Sequence, residues 1–276
     1  MLKKIFLPFE NSPFSMAALN YACFIASRQN AVVTGGIFID IEKVNSSLGT
    51  LNDDETVNWH NDLSDEIISL VEPTVEYLIH SIKQRCIKNG IKYSFEKEIG
   101  MPGAQITRLS NYYDIVVTGL KSDFGLIKKN SGSAFLKKIL TGSATSILAV
   151  PNYYRAIRNV VVAYDSSISA SRALQRFVHL ANFSELNITI ITSSNNSVWA
   201  EDNIKRAKEY LLSYGASNVI TDSTHIEIIK VLQSSYFSDT DLIVLGSHSQ
   251  SIKDIFIGSV TEKLINDANK PLLIGI

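Results

Sequence analysis

Cysteine and proline are scarce in this chain, and long apolar runs are absent. Of 276 residues, 2 are cysteine and 6 are proline. Cys23 and Cys86 form no Cys-x-x-Cys motif and fall in stretches with a helical pattern, which favours two reduced, packed thiols over a redox pair. No apolar run reaches the roughly 20 residues that cross a bilayer. Residues 1–4 lead directly into a strand-like run, so we expect no signal peptide, no membrane partner and a cytoplasmic protein.

An excess of charge of one sign is also lacking. Lysine and arginine number 26 against 27 aspartate and glutamate, which gives a net charge of −1. Neither half of the chain is markedly basic, and a surface that binds nucleic acid normally is. We therefore expect no nucleic-acid partner. Hydrophobic residues make up 45% of the chain, enough for a large core.

Signatures of catalysis and of metal binding are missing as well. The phosphate-loop motif Gly-x-x-x-x-Gly-Lys-Ser/Thr does not occur. The histidines have no metal-ligand spacing. They are His60, His80, His179, His225 and His248. The sequence therefore assigns no catalytic residue and no metal ligand, and it favours a binding protein over an enzyme.

The most informative stretch of the sequence is residues 241–261. An apolar run ends at Gly246, and a helical pattern begins at Gly258-Ser259 after a polar segment. A strand, a glycine turn and a helix N-terminus form a generic anion site, because unpaired N–H groups and the helix dipole face the ligand. The same residues also fit a plain connection in which Ser259 and Glu262 form a capping box.

This stretch occurs twice, and so do the segments around it. The matching segments are 4–12 with 159–167, 114–119 with 241–246, Gly132-Ser133 with Gly258-Ser259, and 147–150 with 272–276. The repeated unit has roughly the size of one domain. We therefore predict two tandem domains, residues 1–152 and residues 156–276.

Strand-like and helix-like segments alternate in both halves. This alternation predicts parallel sheets with right-handed crossovers, and ligands then bind at the carboxyl ends of the strands. The predicted strands are 5–9, 31–39, 92–99, 114–118, 146–150, 160–164, 186–192, 217–221, 241–245 and 271–276. The predicted helices are one capped by Ser12, and 62–89, 104–110, 133–141, 168–181, 198–214, 224–235 and 259–268.

Proline and glycine refine these predictions. Pro73 predicts a kink in helix 62–89 or its division into two helices. Asn89-Gly90 is typical of a helix C-cap. Gly35-Gly36 inside the second strand indicates a bulge or the close approach of another group.

Two connections have unusual composition. Residues 40–61 lack periodicity, so we expect an ordinary surface insertion or a mobile loop over the mouth of a cleft. Residues 151–158 contain Tyr153-Tyr154-Arg155 instead of the small residues of a flexible linker. The two halves are therefore expected to pack together.

Both halves resemble universal stress protein domains, in residues 258–263 (Gly-Ser-Val-Thr-Glu-Lys) and in their strand endings. The resemblance covers nearly the whole chain. It implies an α/β fold with two tandem five-stranded parallel-sheet sandwich domains, adenine nucleotide alpha hydrolase-like, packed as a pseudo-twofold pair through strands 147–150 and 272–276. It also implies a cleft for ATP or another adenine nucleotide. Family members that bind nucleotide carry an aspartate after the first strand and the pattern Gly-x2-Gly-x9-Gly-Ser/Thr after the fourth.

In the second half, this pattern identifies a nearly complete set of binding residues. They are Asp165, Gly246, His248, Ser249, Gly258, Ser259, Val260 and Thr261. Asp165 can bind a ribose hydroxyl or hold Mg²⁺ near the phosphates, or it can cap the next helix beside Ser166 and Ser167. Ser249 replaces the second glycine and lies one residue too close to Gly258. A serine with positive φ costs about 1–2 kcal/mol, so either the loop takes another path or the hydroxyl contacts a phosphate.

In the first half, the spacing is kept but the aspartate is not. The candidate residues are Glu10, Gly119, Ser122, Gly132 and Ser133. Nearby lysines can neutralise a polyphosphate or form a solvated face. They are Lys121, Lys128, Lys129, Lys137 and Lys138. We expect the second half to bind better, because an aspartate and an intact helix N-terminus contact the ligand directly.

Three functions remain open at this point. The leading hypothesis is a non-enzymatic stress protein that responds to an adenine nucleotide. The second is a nucleotide-free scaffold that acts through protein partners, which the glycine-to-serine changes favour. The third is a slow ATP hydrolase. The tandem halves already form an intramolecular pseudo-dimer, and a further homodimer is also compatible with the sequence.

Overall fold

The structure is a computed structural model, and it describes residues 1–40, 65–122, 124, 134–248, 257–267 and 269–276. Its strands are β1 (Lys4–Pro8), β2 (Val32–Ile39), β3 (Tyr93–Ile99), β4 (Ile115–Gly119), β5 (Ile147–Val150), β6 (Asn159–Ala163), β7 (Asn187–Ser193), β8 (Val219–Thr224), β9 (Leu242–Gly246) and β10 (Leu272–Gly275). Its helices are α1 (Pro13–Gln29), α2 (Asp65–Lys88), α3 (Pro102–Ser110), α4 (Ala134–Gly142), α5 (Ile168–Leu180), α6 (Ser197–Ser213), α7 (Ile228–Val231, continued by the π-helical Leu232–Tyr236) and α8 (Ser259–Asp267).

The strands of both halves form one continuous sheet. Their order is β3-β2-β1-β4-β5-β10-β9-β6-β7-β8. Pairing is parallel within each half, and the halves join where β5 and β10 run antiparallel with Leu148 opposite Leu273. The predicted α/β fold and the pseudo-twofold pairing through the fifth strands are therefore confirmed. The pairing also removes two sheet edges that would otherwise be exposed.

Helices cover both faces of the sheet because the strands are apolar on both sides. Along β1, Ile5 and Leu7 pack into the core under α1, α2, α5 and α6, whereas Phe6 packs into the core under α3, α4, α7 and α8. Such two-sided burial is what a parallel sheet requires. In the part of the chain that the structure describes, no helix is long and apolar enough to cross a membrane.

Local capping signals work as the sequence indicates. Ser12 caps α1, since its Oγ accepts a hydrogen bond from the backbone N–H of Ser15 at 3.2 Å. Gly90 has a φ of 64° after the end of α2, and the N–H of Ile91 returns to the carbonyl of Cys86. Both predicted helix ends are confirmed, because each satisfies backbone groups that a helix end leaves unpaired.

Gly35 and Gly36 of β2 allow neighbouring side chains to approach closely, which is one of the two explanations that the sequence suggested. A Cβ on Gly35 would lie 2.5 Å from Cδ1 of Ile82 in α2, and one on Gly36 would lie 2.8 Å from the ring of Phe6. The pairing of β2 with β3 continues residue by residue past both positions. The glycines therefore mark a close approach and not a bulge.

The predicted division of the helix at Pro73 is wrong. Residues Asp65–Lys88 form a single helix with Pro73 inside it. Pro73 is exposed, so the backbone hydrogen bond that a proline cannot donate is lost on the solvent side, where water replaces it.

The boundary between β8 and α7 is also displaced from its prediction. The strand was expected at 217–221 and the helix from 224, but the strand is Val219–Thr224 and the helix begins at Ile228. Because β8 is an edge strand, its polar residues face solvent while its backbone still pairs with β7. The apolar pattern therefore ends before the strand does.

The linker between the halves is held on both sides. The hydroxyl of Tyr21 in α1 accepts a hydrogen bond from the N–H of Arg155 and donates one to its carbonyl, both at 3.1 Å. The guanidinium of Arg155 pairs with the buried carboxylate of Asp241 at 2.7 Å. The predicted packing of the halves is therefore confirmed. Burial raises the pKa of Tyr21 to about 12.

The two cysteines are packed and free, as predicted. Cys23 in α1 and Cys86 in α2 are both buried. A hydrogen bond to Cys86, together with burial, raises the pKa of the Cys23 thiol. Residues 41–64, which include most of the predicted insertion at 40–61, lie outside the described part of the chain.

Candidate functional site

A cleft of about 640 Å³ opens at the carboxyl ends of β6, β7 and β9, under α7 and α8. The chain leaves β6 toward β7 and β8 and later returns to the other side of β6 as β9. Parallel sheets bind ligands at such a switch point, because the connections diverge there and leave a crevice. Seven of the eight predicted second-half residues line the cleft, together with neighbours that the sequence did not single out. The predicted residues at the cleft are Asp165, Gly246, His248, Gly258, Ser259, Val260 and Thr261.

The start of α8 supplies unpaired backbone donors. The carbonyl of Gly258 accepts the N–H of Glu262, so Ser259, Val260 and Thr261 form the first turn of the helix. Within the described residues, their N–H groups have no backbone acceptor. These donors and the positive end of the helix dipole lie at the cleft, which makes this helix start suitable for an anion.

The capping box expected at this helix start is not formed. Ser259 is the first residue of α8 and not its cap, because the chain enters the helix at Gly258. The side chain of Glu262 instead pairs with Lys137 of α4. Glu262 therefore does not occupy the backbone donors of the first turn.

Gly246 is a glycine because another helix starts directly above it. A Cβ at this position would lie 2.6 Å from the backbone nitrogen of Ala170 and still closer to Oγ of Ser169, at the start of α5. Its carbonyl accepts a hydrogen bond from the hydroxyl of Thr261 at 2.8 Å. The end of β9 is thereby fixed to the start of α8.

The turn after β6 is strained and presents Asp165 to the cleft. Ser166 has a φ of 57°, which is unfavourable for a residue with a side chain. Oδ1 of Asp165 accepts the N–H of Ser167 at 3.0 Å, while Ser167 itself caps α5 through Ala170. Asp165 thus stabilises the turn, whereas the cap of α5 is Ser167 and not Asp165. Its Oδ2 has no hydrogen-bond partner within the described residues.

His248 begins the loop that follows β9. Its Nδ1 lies 2.6 Å from the hydroxyl of Ser247, and its backbone carbonyl accepts a hydrogen bond from Ser169 at 2.8 Å. These contacts fix the ring and the backbone of His248 at the edge of the cleft. Ser249 lies outside the described residues.

Several residues of the cleft escaped prediction from the sequence. Ile191, Ile228 and Ile229 form apolar walls, and Glu227 and Lys263 are charged groups of the lining. Lys263 follows Glu262 in α8, and a helical wheel of residues 259–263 would have placed it beside Ser259. Ile228 and Ile229 lay inside the predicted helix 224–235, but the sequence alone did not indicate that this helix borders the cleft.

Among the described residues of the first half, aromatic side chains stand at positions that correspond to residues lining the second-half cleft. The strand pairing makes Phe38 of the first half equivalent to Ser193 of the second. The aligned Gly-Ser segments make Phe135 equivalent to Thr261. Phe124 lies between them, with ring centroids 6.0 Å from Phe38 and 4.7 Å from Phe135. Polar positions that line the second cleft are thus occupied by rings in the first half.

Of the predicted residues of the first half, the structure describes Glu10, Gly119 and Ser122. Ser122 is 1% exposed, and a Cβ on Gly119 would lie 2.5 Å from Cβ of Phe14. The carboxylate of Glu10 accepts a hydrogen bond from the hydroxyl of Ser12 at 3.0 Å. Gly132, Ser133, Lys128 and Lys129 lie outside the described residues. The first-half site therefore stays a prediction.

No cluster of three or more histidine, cysteine, aspartate or glutamate residues suited to a metal occurs in the part of the chain that the structure describes.

Comparisons with known proteins agree with this fold. A family model described as the universal stress protein family matches residues 238–274, which contain β9, α8 and most of β10. The universal stress protein Slr1230 of Synechocystis is 22% identical over 287 aligned positions, which cover 99% of both chains. The universal stress protein MJ0577 of Methanocaldococcus jannaschii is 34% identical over 74 residues, 26% of this chain and 44% of that protein.

A solved structure shows the same architecture along the whole chain. The universal stress protein from Archaeoglobus fulgidus superposes with a TM-score of 0.74 at 19% identity, covering 99% of this chain and 97% of the other. Its likeness supports the fold, and the match at residues 238–274 includes the end of β9 and the start of α8. The family match at residues 238–274, the relative that aligns along the whole chain and the shared two-half architecture make the chain similar to universal stress proteins.

Proposed function

We propose that this protein binds an adenine nucleotide such as ATP in its second-half cleft and acts as a nucleotide-responsive binding protein in a cytoplasmic stress response. The observation that carries the proposal is the start of α8, where the N–H groups of residues 259–261 lie at the cleft without backbone acceptors among the described residues. A phosphate satisfies such donors and is favoured by the helix dipole.

The lining of the cleft supports a separate position for each part of a nucleotide. The start of α8 suits the phosphates, and the exposed ammonium of Lys263 adds a positive charge beside them. The second oxygen of Asp165 can accept a hydrogen bond from a ribose hydroxyl. The apolar walls of Ile191 and Ile228 suit the faces of a base. A volume of about 640 Å³ lies within the range of small-molecule sites.

The contrast between the halves supports one nucleotide per chain. Among the described residues, Phe38 and Phe135 of the first half stand where the second half has the polar Ser193 and Thr261, and Phe124 packs between the two rings. The same contrast favours a second function for the first half, as a structural partner that supports the binding half. A scaffold without any bound nucleotide remains the alternative, and it predicts no binding at either half.

Substitution of Asp165 tests the proposal directly, with its repeat counterpart as a control. We expect Asp165→Ala to weaken ATP binding at least about tenfold in calorimetry, because a charge-assisted hydrogen bond contributes roughly 1.5–3 kcal/mol. Glu10→Ala removes the equivalent carboxylate of the first half and should leave the affinity unchanged. Equal affinities for Asp165→Ala and the wild-type protein would refute the assignment of the site.

A further inference from the structure

An ion pair links the two halves beside the second-half cleft. Nζ of Lys137 in α4 lies 2.5 Å from Oε1 of Glu262 in α8. The side chains are 31% and 47% exposed, so the pair is partly shielded from solvent. Lys137 therefore brings a positive charge of the first half to the first turn of the helix that bounds the second cleft.

This ion pair has no equivalent between the repeat-related positions of the two halves. The matching Gly-Ser segments align Lys137 with Lys263 and Leu136 with Glu262. Because Leu136 is apolar, the first half offers Lys263 no acid equivalent to Glu262. Lys263 lines the cleft, whereas Glu262, one residue before it, is directed to Lys137.

The position of Glu262 matters for an anionic ligand. It lies within one helical turn of the N–H groups of residues 259–261. One turn rises about 5.4 Å, which is less than the Debye length of about 8 Å at physiological ionic strength. An unpaired carboxylate at this position would therefore repel a polyphosphate at the start of α8.

We propose that Lys137 is a positioning residue for the second-half cleft, which neutralises Glu262 and lets the start of α8 accept a ligand with several phosphates. The first half thus contributes to binding in the second without touching the ligand. This inference rests on the proposed nucleotide site and adds a dependence on ligand charge. Loss of Lys137 affects ATP more than AMP, and adenosine least.

Calorimetry with adenosine, AMP and ATP tests the inference on the full chain. Lys137→Met should weaken ATP binding by about three- to tenfold and change adenosine binding by less than about twofold, since only ATP carries several charges. Glu262→Gln should strengthen ATP binding by a similar factor. The double variant should return to within about twofold of wild type, because both members of the pair are then uncharged.

Lys138→Met is the matched control, since it removes one positive charge from the exposed side of the same helix. It should change ATP affinity by less than about twofold. Equal losses in Lys137→Met and Lys138→Met would overturn the inference, as would equal losses for adenosine and ATP, which indicate a structural effect only. A wild-type protein that binds none of the three ligands would instead refute the nucleotide site itself, and the inference with it.

Discussion

Steric and backbone constraints on individual residues of the cleft recur only in part at the equivalent residues of the first half. Gly246 and Gly119 both end a strand beneath the first turn of a helix, and neither has room for a Cβ. Ser166 has a left-handed backbone, whereas the equivalent Asn11 does not. The space beside each glycine depends on how the helices dock on the sheet. A single sequence can therefore indicate the glycine but not the neighbour that requires it.

Gly246→Ala should lower stability by about 1–3 kcal/mol, because its Cβ overlaps the backbone of α5. Gly119→Ala should cost a similar amount through Phe14 and Ser122. Urea unfolding measures both losses. Only Gly246→Ala should also weaken ATP binding, since the second cleft contains the displaced strand end. Equal ATP affinities in the two variants would contradict this assignment.

Ser166→Gly should relieve the strain of the turn after β6. Glycine reaches positive φ without steric cost, which stabilises the folded state, but its greater freedom in the unfolded chain offsets part of this gain. We therefore expect the free energy of unfolding to rise by between zero and about 1 kcal/mol. Asn11→Gly gains only the unfolded-state entropy and should lose roughly 0.5–1 kcal/mol. Thermal unfolding of both variants distinguishes them. A destabilised Ser166→Gly would show that the turn is not strained.

At the scale of elements, the alternation of strands and helices predicted the parallel sheet, and the family resemblance predicted which strands join the halves. Edge strands were harder to predict, because solvent accepts polar residues on β8 that an internal strand would exclude. The division of the helix predicted at Pro73 was wrong for a related reason, since a helix loses little stability when the missing hydrogen bond faces water. The start of α8 was predicted as an anion site, but its ion pair with α4 depends on how two distant segments meet.

The backbone donors of α8 can be tested apart from the side chain at the same position. Ser259→Pro removes one N–H from the first helical position, where proline is well tolerated, so the helix should form while ATP binding weakens about tenfold. Ser259→Ala keeps the N–H and should stay within about threefold of wild type. Circular dichroism checks the helix content and calorimetry the affinity. Equal binding by both variants would mean that this N–H does not contact the ligand.

At the scale of the whole molecule, the two halves form one sheet held by β5, β10 and the linker. Tyr21 satisfies both backbone groups of Arg155, so Tyr21→Phe leaves them unpaired and should cost about 1–3 kcal/mol. The pKa of Tyr21 is raised to about 12, so its contribution is complete below the ordinary pKa of 10 and is lost as the pH rises toward 12. Chemical denaturation between pH 8 and pH 12 measures this, with Tyr112→Phe at an exposed position as the control. If the wild-type protein and the Tyr21→Phe variant lost the same stability between pH 8 and pH 12, the loss would not come from Tyr21.

The proposed adenine-nucleotide site lies in only one of the two related halves. Native mass spectrometry of the purified chain with saturating ATP counts bound ligands directly. We expect one ATP per chain in the wild-type protein and in Glu10→Ala, and a lower occupancy in Asp165→Ala once the ATP concentration is reduced below saturation. A chain that stays empty would contradict nucleotide binding, and a chain that holds two would contradict the assignment of binding to the second half alone.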